Sequence, residues 1–211
     1  MITYLFLAIF ICLMGYMVYF QTVKSEDFIN SPYNSRQDTF ADRVVRGKIM
    51  SADGKVLAET VVDAAGNETR KYPYGNMYAH VVGFSTNGKS GIESNMNFNL
   101  LRSHSFVLER MFNEIKDEKS MGDNVVTTLD STLQETAYQA LGNYDGAVVV
   151  MEPSTGKVLA MVSKPDFDPN TIAADWDSII SEDNNNSVLL NRATQGLYPP
   201  GSTFKIITTL E

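Results

Sequence analysis

Two side chains late in the sequence, Ser202 and Lys205, have the types and the spacing needed for acyl transfer. Residues three apart share one face of a helix, and the preceding Tyr198-Pro199-Pro200-Gly201 predicts that an extended segment ends and a helix begins at the serine. The hydroxyl would lie at the helix N-terminus, where its own backbone N–H can bind an oxyanion. The amine lies one turn later and can accept the hydroxyl proton, so the pair is interpreted as a nucleophile with its general base.

The Ser-x-x-Lys pattern is weak evidence by itself, because a chain of this size holds about one copy by chance. A second copy, from Ser154 to Lys157, lies in a turn between the apolar runs 147–151 and 158–162. Its proline and glycine are typical of a hairpin turn, so Ser154 is predicted to be structural. The residues alone also allow Ser202 to be a simple helix N-cap, with Lys205 solvated.

The longest apolar run is at the start of the sequence. Residues 2–20 are 19 positions without a charged side chain, and as a helix they would span about 28 Å, close to the hydrocarbon thickness of a bilayer. The run ends in bulky aromatic residues rather than in a small-residue cleavage site, which predicts an uncleaved membrane anchor. Lys24, Arg36 and Arg43 follow the run and no basic residue precedes it, so the positive-inside rule alone favours a cytoplasmic location for the rest.

The composition argues against several classes of function. The 211 residues carry a net charge of −8, so the chain has no basic surface for nucleic acid. Cys12 is the only cysteine and lies in the apolar run, which excludes an intrachain disulfide. His80 and His104 are too few and too scattered for a metal site, and we expect neither a metal nor another cofactor.

The hydrophobic patterns predict an α+β fold. A β-hairpin is expected around Asp53-Gly54, within residues 46–58, and a stronger one over residues 146–163. An amphipathic helix is expected at residues 131–141, with Leu133, Ala137 and Leu141 on its apolar stripe. Its start would be a capping box of Ser131 and Gln134.

Two further segments have weaker signals. Residues 78–84 are predicted to form a short strand, and residues 92–112 to be helical in part. A charged stretch at 115–123 is the expected domain boundary. The candidate core residues of the helical part are Leu100, Leu101, Val107, Leu108, Met111 and Phe112.

Four segments, taken in order, carry a resemblance to one family. They are Arg46-Gly47-Lys48-Ile49 with Asp53-Gly54 and Leu57-Ala58; Gly91-Ile92-Glu93 with Leu100-Leu101; Thr127-Thr128-Leu129-Asp130 with Leu133-Gln134 and 146–151; and Asn191-Arg192-Ala193 with 198–205. Together they resemble the class B penicillin-binding proteins, the membrane-anchored peptidoglycan D,D-transpeptidases. The resemblance covers about residues 40–211.

The resemblance implies a fold, a reaction and a location. A single transmembrane anchor would occupy residues 1–20, a non-catalytic pedestal of the dimerisation type 21–120, and the start of a transpeptidase domain, an antiparallel sheet with helices, 121–211. Ser202 would be the acyl nucleophile and Lys205 the general base, acting on the D-Ala-D-Ala end of peptidoglycan stem peptides and reacting with β-lactams. The bulk of the chain would then lie on the extracytoplasmic side of the bacterial cell membrane.

The sequence departs from the family pattern in three places. Ser51-Ala52 stand where many members carry Asp-Arg, no basic tail precedes the apolar run, and the motifs Ser-x-Asn and Lys-Ser/Thr-Gly do not follow Lys205. Ser85-Thr86-Asn87 and Lys89-Ser90-Gly91 fit those motifs but precede Ser202, and they are predicted to be loop residues. The resemblance places the second oxyanion-hole donor on the strand that carries Lys-Ser/Thr-Gly. We therefore expect a fragment that is inactive alone, because losing one such donor costs about 3–4 kcal/mol.

Two other functions remain open at this point. The anchor and pedestal could serve as a non-catalytic module that docks a membrane glycosyltransferase of the cell-wall machinery. A class D β-lactamase or a penicillin-sensing receptor would also use Ser-x-x-Lys, although a pedestal of roughly 100 residues before the catalytic domain disfavours an ordinary secreted β-lactamase.

Overall fold

The N-terminal apolar run is one exposed helix. A computed structural model describes residues 2–25, 28, 44–103, 119–181 and 187–209. Helix α1, Ile2–Tyr19, continues into a π-helical turn, Phe20–Lys24, and neither has a buried residue. Together these 23 residues are long and apolar enough to cross a membrane. A signal sequence near the N-terminus would have the same properties.

Within residues 44–103 and 119–126, six short strands form two sheets. They are β1 Val44–Val45, β2 Ile49–Met50, β3 Val56–Val62, β4 Glu68–Lys71, β5 Ser120–Met121 and β6 Val125–Val126. The larger sheet has the order β4-β3-β2-β6, and β1 pairs separately with β5. The hairpin predicted around Asp53-Gly54 is confirmed, because β2 and β3 are antiparallel and Gly54 has a φ of 82°, a conformation that favours glycine.

Strand β6 lies beyond the expected boundary. It pairs in parallel with β2, so residues 125–126 belong to the same sheet as residues 49–71. The division of the chain at residue 120 stays a prediction.

The segment that follows β4 is helical, and the strand predicted at residues 78–84 is wrong. Gly75–Tyr78 is a 3-10 helix and α2 is Ala79–Val82. Tyr78 and Val82 belong to one apolar core, whereas the neighbouring Ala79 belongs to a second core. A helix buried between two cores is apolar on more than one face, and over so few residues this pattern cannot be told from a buried strand.

The first core lies between the sheet and the helices α3, Gly91–Asn95, and α4, Asn97–Leu101. Leu100 and Leu101 are buried, as predicted. The predicted core residues Val107, Leu108, Met111 and Phe112 lie outside the described residues, as does His104. The fully or nearly buried members of this core are Ile49, Leu57, Ala58, Tyr72, Tyr78, Val82, Leu100 and Leu129.

A buried ion-pair network joins the sheet to α3. Glu93 is fully buried, and its two carboxylate oxygens accept from Arg46 Nε at 2.6 Å and Arg70 Nε at 2.8 Å. Arg46 also donates to the side chain of Asn97, and Arg70 to the carbonyl of Gly47 at 2.7 Å. Burial lowers the pKa of Arg46, and the neighbouring Glu93 opposes that shift. Two buried cations therefore depend on one carboxylate.

The hairpin turn at Ser51-Ala52 is held by hydroxyl groups. Ser51 is buried, and its Oγ accepts from the Lys55 N–H at 3.0 Å. Ser131 Oγ donates to Asp53 Oδ2 at 2.6 Å. Hydrogen bonds from Ser131 and then Ser51 lower the pKa of Asp53 to about 2. These bonds tie the turn to the helix that begins at Ser131.

That helix, α5, is Ser131–Leu141, as predicted, but the residue that caps it and part of its buried face differ from the prediction. Asp130 is the N-cap, since its side chain accepts from the Leu133 N–H at 2.9 Å. The capping box of Ser131 and Gln134 is therefore wrong. The buried residues are Ser131, Gln134 and Ala137, whereas Leu133 is exposed. Ala137 and Leu141 of the predicted stripe do pack into a core with Ala160 and Val162, whereas Gln134 is buried in place of Leu133.

The predicted hairpin at residues 146–163 is confirmed. Strands β7, Gly146–Met151, and β8, Val158–Lys164, are antiparallel, and α5 packs against them. A loop at 165–170 then leads to α6, Ile172–Ile180, and to α7, Arg192–Gln195. Phe84, Phe167 and Ile172 form the second core with Ala79. Helices and largely antiparallel sheets thus make the α+β fold that the sequence predicted.

Residues 72–84 lie against residues 130–181 and 187–192, and we call this contact the junction. The ring of Phe167 packs edge-on against His80 and Phe84, with ring centres 5.2 and 5.7 Å apart. Asn170 donates to the Tyr72 carbonyl at 3.0 Å and accepts from the Tyr72 N–H at 2.9 Å. Both apolar packing and side-chain hydrogen bonds therefore connect the two parts.

Candidate active site

Ser202 lies in a short helix close to the end of the described residues. A 3-10 helix, Gly201–Phe204, continues directly into α8, Lys205–Thr208. The predicted helix is therefore present, but it begins at Gly201, one residue before the serine. The N–H and the hydroxyl of Thr203 both donate to the Pro200 carbonyl. As the second helical residue, Ser202 has its N–H among the first-turn donors that lack an acceptor within the helix.

The backbone conformation at the position before the serine favours glycine. Gly201 has a φ of 53°, a region that side chains with a Cβ rarely adopt. Pro200 has a φ of −67°, the value to which its ring restricts it. The Pro-Pro-Gly sequence thus fixes the backbone direction immediately before Ser202.

The helix brings Ser202 and Lys205 to the same face. The Lys205 N–H donates to the Ser202 carbonyl, which is the i to i+3 bond of a 3-10 turn. Residues three apart are eclipsed in this helix type, so the two side chains leave the helix one above the other. A hydroxyl and its general base must share a face before their side chains can come within hydrogen-bond reach.

The segment that carries the pair is open to water. Every residue from 197 to 209 is exposed, including the apolar side chains of Leu197, Phe204, Ile206 and Ile207. The described residues therefore do not enclose Ser202 and Lys205 in a cleft. Acyl-transfer sites act through donors preorganised in a water-excluded cavity.

The chain leading to this helix is anchored on buried structure. The Arg192 N–H donates to Ser163 Oγ at 2.9 Å, and Ser163 on β8 is almost fully buried. Asn191 caps α7 by accepting from the Ala193 N–H at 3.0 Å, and its amide donates to the His80 carbonyl at 3.3 Å. Asn191 thus contacts both the approach to Ser202 and the junction.

The other candidate groups of the sequence are structural. Ser154 lies in the tight turn between β7 and β8, where Gly156 has a φ of 74°, as predicted. His80 is buried, and its Nε2 lies 3.0 Å from the Pro165 carbonyl. Burial lowers the pKa of His80, while the bond to Pro165 and the charge of Asp166 oppose the shift. The described residues contain no group of acidic, histidine and cysteine side chains that could hold a metal.

Of the two motif look-alikes before Ser202, every residue except Gly91 lies in a loop, as predicted. Residues 83–90 form an irregular loop in which Asn87 has a φ of 54°. Gly91 starts α3, with the backbone of residues 81–83 so close that a Cβ would meet the Val81 carbonyl at 2.7 Å. Both patterns are explained by the turn between α2 and α3.

Three amide side chains have roles that the sequence did not reveal. Gln134 donates to the carbonyls of Met77 and Met161 and accepts from the Met161 N–H, each at 2.8 Å. Asn170 and Asn191 bind main-chain groups of residues 72 and 80. The sequence offered two signals for these roles. Gln134 is a polar residue within an apolar stripe, and Asn191 precedes a short helix, where asparagine is a preferred N-cap.

Comparison with known families gives two matches. The penicillin binding protein A dimerisation domain matches residues 46–125. The penicillin binding protein transpeptidase domain matches residues 146–211, which include the helix of Ser202 and Lys205.

Individual relatives and structures agree with these matches. The peptidoglycan D,D-transpeptidase PbpA of Mycolicibacterium smegmatis is 40% identical over 187 residues, covering 78% of this chain and 36% of its own length. The peptidoglycan D,D-transpeptidase MrdA of Escherichia coli is 33% identical over 68% of this chain and 28% of its own length. The imipenem acyl-enzyme complex of penicillin-binding protein A from M. tuberculosis superposes with a TM-score of 0.69 at 36% identity, over 80% of this chain and 42% of that one. The chain thus spans about a third of the length of these curated relatives.

Proposed function

This chain belongs to the class B penicillin-binding proteins, and from that premise we propose that the whole protein is a membrane-anchored peptidoglycan D,D-transpeptidase. Ser202 is the acyl nucleophile and Lys205 the general base. The observation that carries the proposal is the placement of these two side chains one helical turn apart, within the stretch that matches the transpeptidase domain. The resemblance of the surrounding residues makes the alternative role of Ser202, a helix N-cap alone, the weaker interpretation.

The proposed reaction has two steps with balanced proton transfers. The Lys205 amine accepts the proton of the Ser202 hydroxyl as Oγ attacks the penultimate D-Ala carbonyl of a stem peptide. The peptide C–N bond then breaks, and the ammonium of Lys205 returns the proton to the departing D-Ala amine. An amine of a neighbouring stem peptide attacks the acyl-serine ester, its lost proton restores the Ser202 hydroxyl, and the peptides are joined.

β-Lactams are proposed to enter the same first step. Attack of Ser202 opens the lactam ring, and the leaving nitrogen stays attached to the acyl group. The related penicillin-binding protein A of M. tuberculosis forms an acyl-enzyme with imipenem, which supports this reaction for a protein of the same family. Stable acylation without rapid turnover separates the proposal from a class D β-lactamase that shares Ser-x-x-Lys.

We place the protein in the bacterial cell membrane, with α1 as a single span and the bulk of the chain on the extracytoplasmic side. The length and apolarity of Ile2–Lys24 support the span, and the location of peptidoglycan supports the orientation. Within this arrangement, residues 21–120 are the pedestal and residues 121–211 the start of the transpeptidase domain. The anchor and pedestal would also dock a membrane glycosyltransferase, which would supply the glycan strands to be cross-linked.

Labelling with a fluorescent penicillin tests the catalytic assignment, and the chain offers a matched control. In the whole protein, Ser202→Ala should abolish the covalent label, whereas Ser154→Ala, in the second Ser-x-x-Lys, should leave it unchanged. A label that survives Ser202→Ala would contradict the proposal. Residues 1–211 alone should label far more slowly than the whole protein, because both side chains of the pair are exposed in this part.

A further inference from the structure

Side-chain amides connect the junction, and one of them belongs to the chain that leads to Ser202. Gln134 lies on α5 and Asn170 on the loop before α6, and both bind the main chain of residues 72–77. Asn191 binds the main chain of residue 80 and lies 11 positions before Ser202. Asn191 is therefore the side-chain amide that connects residue 80, on the pedestal side of the junction, to the segment that leads to Ser202.

The oxygen and the nitrogen of the Asn191 side-chain amide have different partners. Its Oδ1 accepts from the Ala193 N–H and so caps α7. Its Nδ2 donates to the His80 carbonyl at 3.3 Å, with the sulfur of Met161 at 3.8 Å. His80 is itself fixed by Pro165 and Phe167. The Nδ2–H bond thus connects the start of α7 to His80, a buried residue with contacts of its own.

Backbone hydrogen bonds and close contacts constrain the chain between Asn191 and Ser202. The N–H groups of Thr194 and Gln195 donate to the Asn191 carbonyl and close α7. At Gly196, an added Cβ would lie 2.5 Å from both the Arg192 carbonyl and the ring of Tyr198, so the chain folds tightly onto α7 there. Two prolines with restricted φ follow, and the helix of Ser202 then begins.

We propose that Asn191 is a positioning residue, whose Nδ2–H bond to the His80 carbonyl holds the approach segment so that Ser202 is aligned for acylation. The inference rests on the proposed function of Ser202. Asn191 touches neither substrate nor the reacting atoms and acts through residues 192–201. Its loss should therefore slow the covalent step, while the non-covalent affinity for a β-lactam is kept.

Two asparagine-to-aspartate variants of the whole protein make a matched test. Asn191→Asp keeps an oxygen to cap α7 but replaces the donor facing the His80 carbonyl with a carboxylate oxygen. Asn170→Asp makes the same change against the Tyr72 carbonyl, at a site that is not on the approach to Ser202. Because Asn170 Nδ2 also donates to Asp168 Oδ1 at 2.8 Å, this control should cost at least as much thermal stability.

Time courses with a fluorescent penicillin at several concentrations give the acylation rate constant and the dissociation constant separately. Asn191→Asp should lower the rate constant roughly tenfold to a hundredfold, the penalty for a displaced reacting group, with the dissociation constant changed by less than about threefold. Asn170→Asp should change both constants by less than about twofold while lowering the melting temperature. If Asn191→Asp does not fold, Asn191→Ser, which caps α7 but is too short to reach His80, should show the same fall.

The outcomes separate the inference from the proposed function. Acylation of the Asn191 variant at the wild-type rate would overturn the positioning role and leave the role of Ser202 intact. Equal losses in the Asn191 and Asn170 variants would overturn it as well, because the effect would then follow from a weakened junction. A wild-type protein that is not acylated at Ser202 would overturn both proposals.

Discussion

The network around Glu93 and the helix of Ser202 use charged and polar side chains in opposite ways. Glu93 is fully buried, and each of its carboxylate oxygens has an arginine partner within the chain. Ser202 and Lys205 are exposed, and what places them is a backbone turn rather than side-chain partners. Groups that stabilise a fold must be paired where they are buried, whereas reactive groups must remain accessible to a substrate. The two regions should therefore respond to mutation in different measurements.

After the loss of labelling expected for Ser202→Ala, the largest effect is expected at Lys205, in catalysis alone. Lys205→Arg keeps the positive charge, but a guanidinium cannot accept the proton of Ser202. The acylation rate should fall about 10²- to 10⁴-fold, the usual contribution of a general base. The free energy of unfolding should change by less than about 0.5 kcal/mol, as for other exposed positions.

Lys157→Arg, in the second copy of the motif, is the control and should change neither quantity. Near-normal acylation by Lys205→Arg would show that the lysine acts only through its charge and would remove the contrast between the two regions.

The next effect is expected at Glu93, in stability alone. Glu93→Gln leaves Arg46 and Arg70 buried without a countercharge and should lower the free energy of unfolding by about 3–5 kcal/mol. Glu59→Gln removes a pair of the same length, Lys48–Glu59 at 2.8 Å, whose side chains are 40% and 31% exposed. That change should cost less than about 1 kcal/mol.

Urea unfolding of the purified variants compares the two pairs. Equal costs would mean that burial does not decide the value of an ion pair in this protein.

A smaller loss is expected at Gln134. Gln134→Ala leaves two carbonyls and one N–H of the junction without their partners, and the cost should be about 3 kcal/mol, since each buried unpaired group costs about 1–3 kcal/mol before water relieves part of it. Gln139→Ala, on the exposed side of the same helix, should cost less than about 0.5 kcal/mol. Thermal unfolding measures both, and similar melting temperatures would contradict the structural role of Gln134.

The smallest effect is a pH dependence of the free energy of unfolding, which arises from His80. Burial holds the pKa of His80 below its ordinary value near 6.5, so below that pH the unfolded chain binds more protons than the folded one. Stability should therefore fall from pH 7 to pH 5, by at most about 1.4 kcal/mol per pH unit. His80→Gln should lose this slope. A wild-type protein that becomes more stable towards pH 5, relative to the variant, would contradict the sign.

The sequence predicted those parts whose determinants are local. The hairpin at Asp53-Gly54, the limits of α5 and the hairpin of residues 146–163 all follow from short-range patterns. The strand expected at residues 78–84 was wrong because that segment is covered by two cores, which only the tertiary fold brings together. The roles of Gln134, Asn170 and Asn191 could not be predicted, since their partners lie 27 to 111 residues away. At Ser202, the local sequence predicted a helix with the side chains of Ser202 and Lys205 on one face. The fold adds the hydrogen bonds that anchor residues 191–192 on buried structure.

The most direct test is to locate the acyl group on the whole protein after reaction with penicillin. Trypsin should release residues 193–205, which contain Ser202, apart from residues 120–157, which contain Ser154. We expect mass spectrometry to find the penicilloyl group on Ser202 in the first peptide. An adduct on the second peptide, or no adduct on a folded protein, would contradict the assignment of the nucleophile.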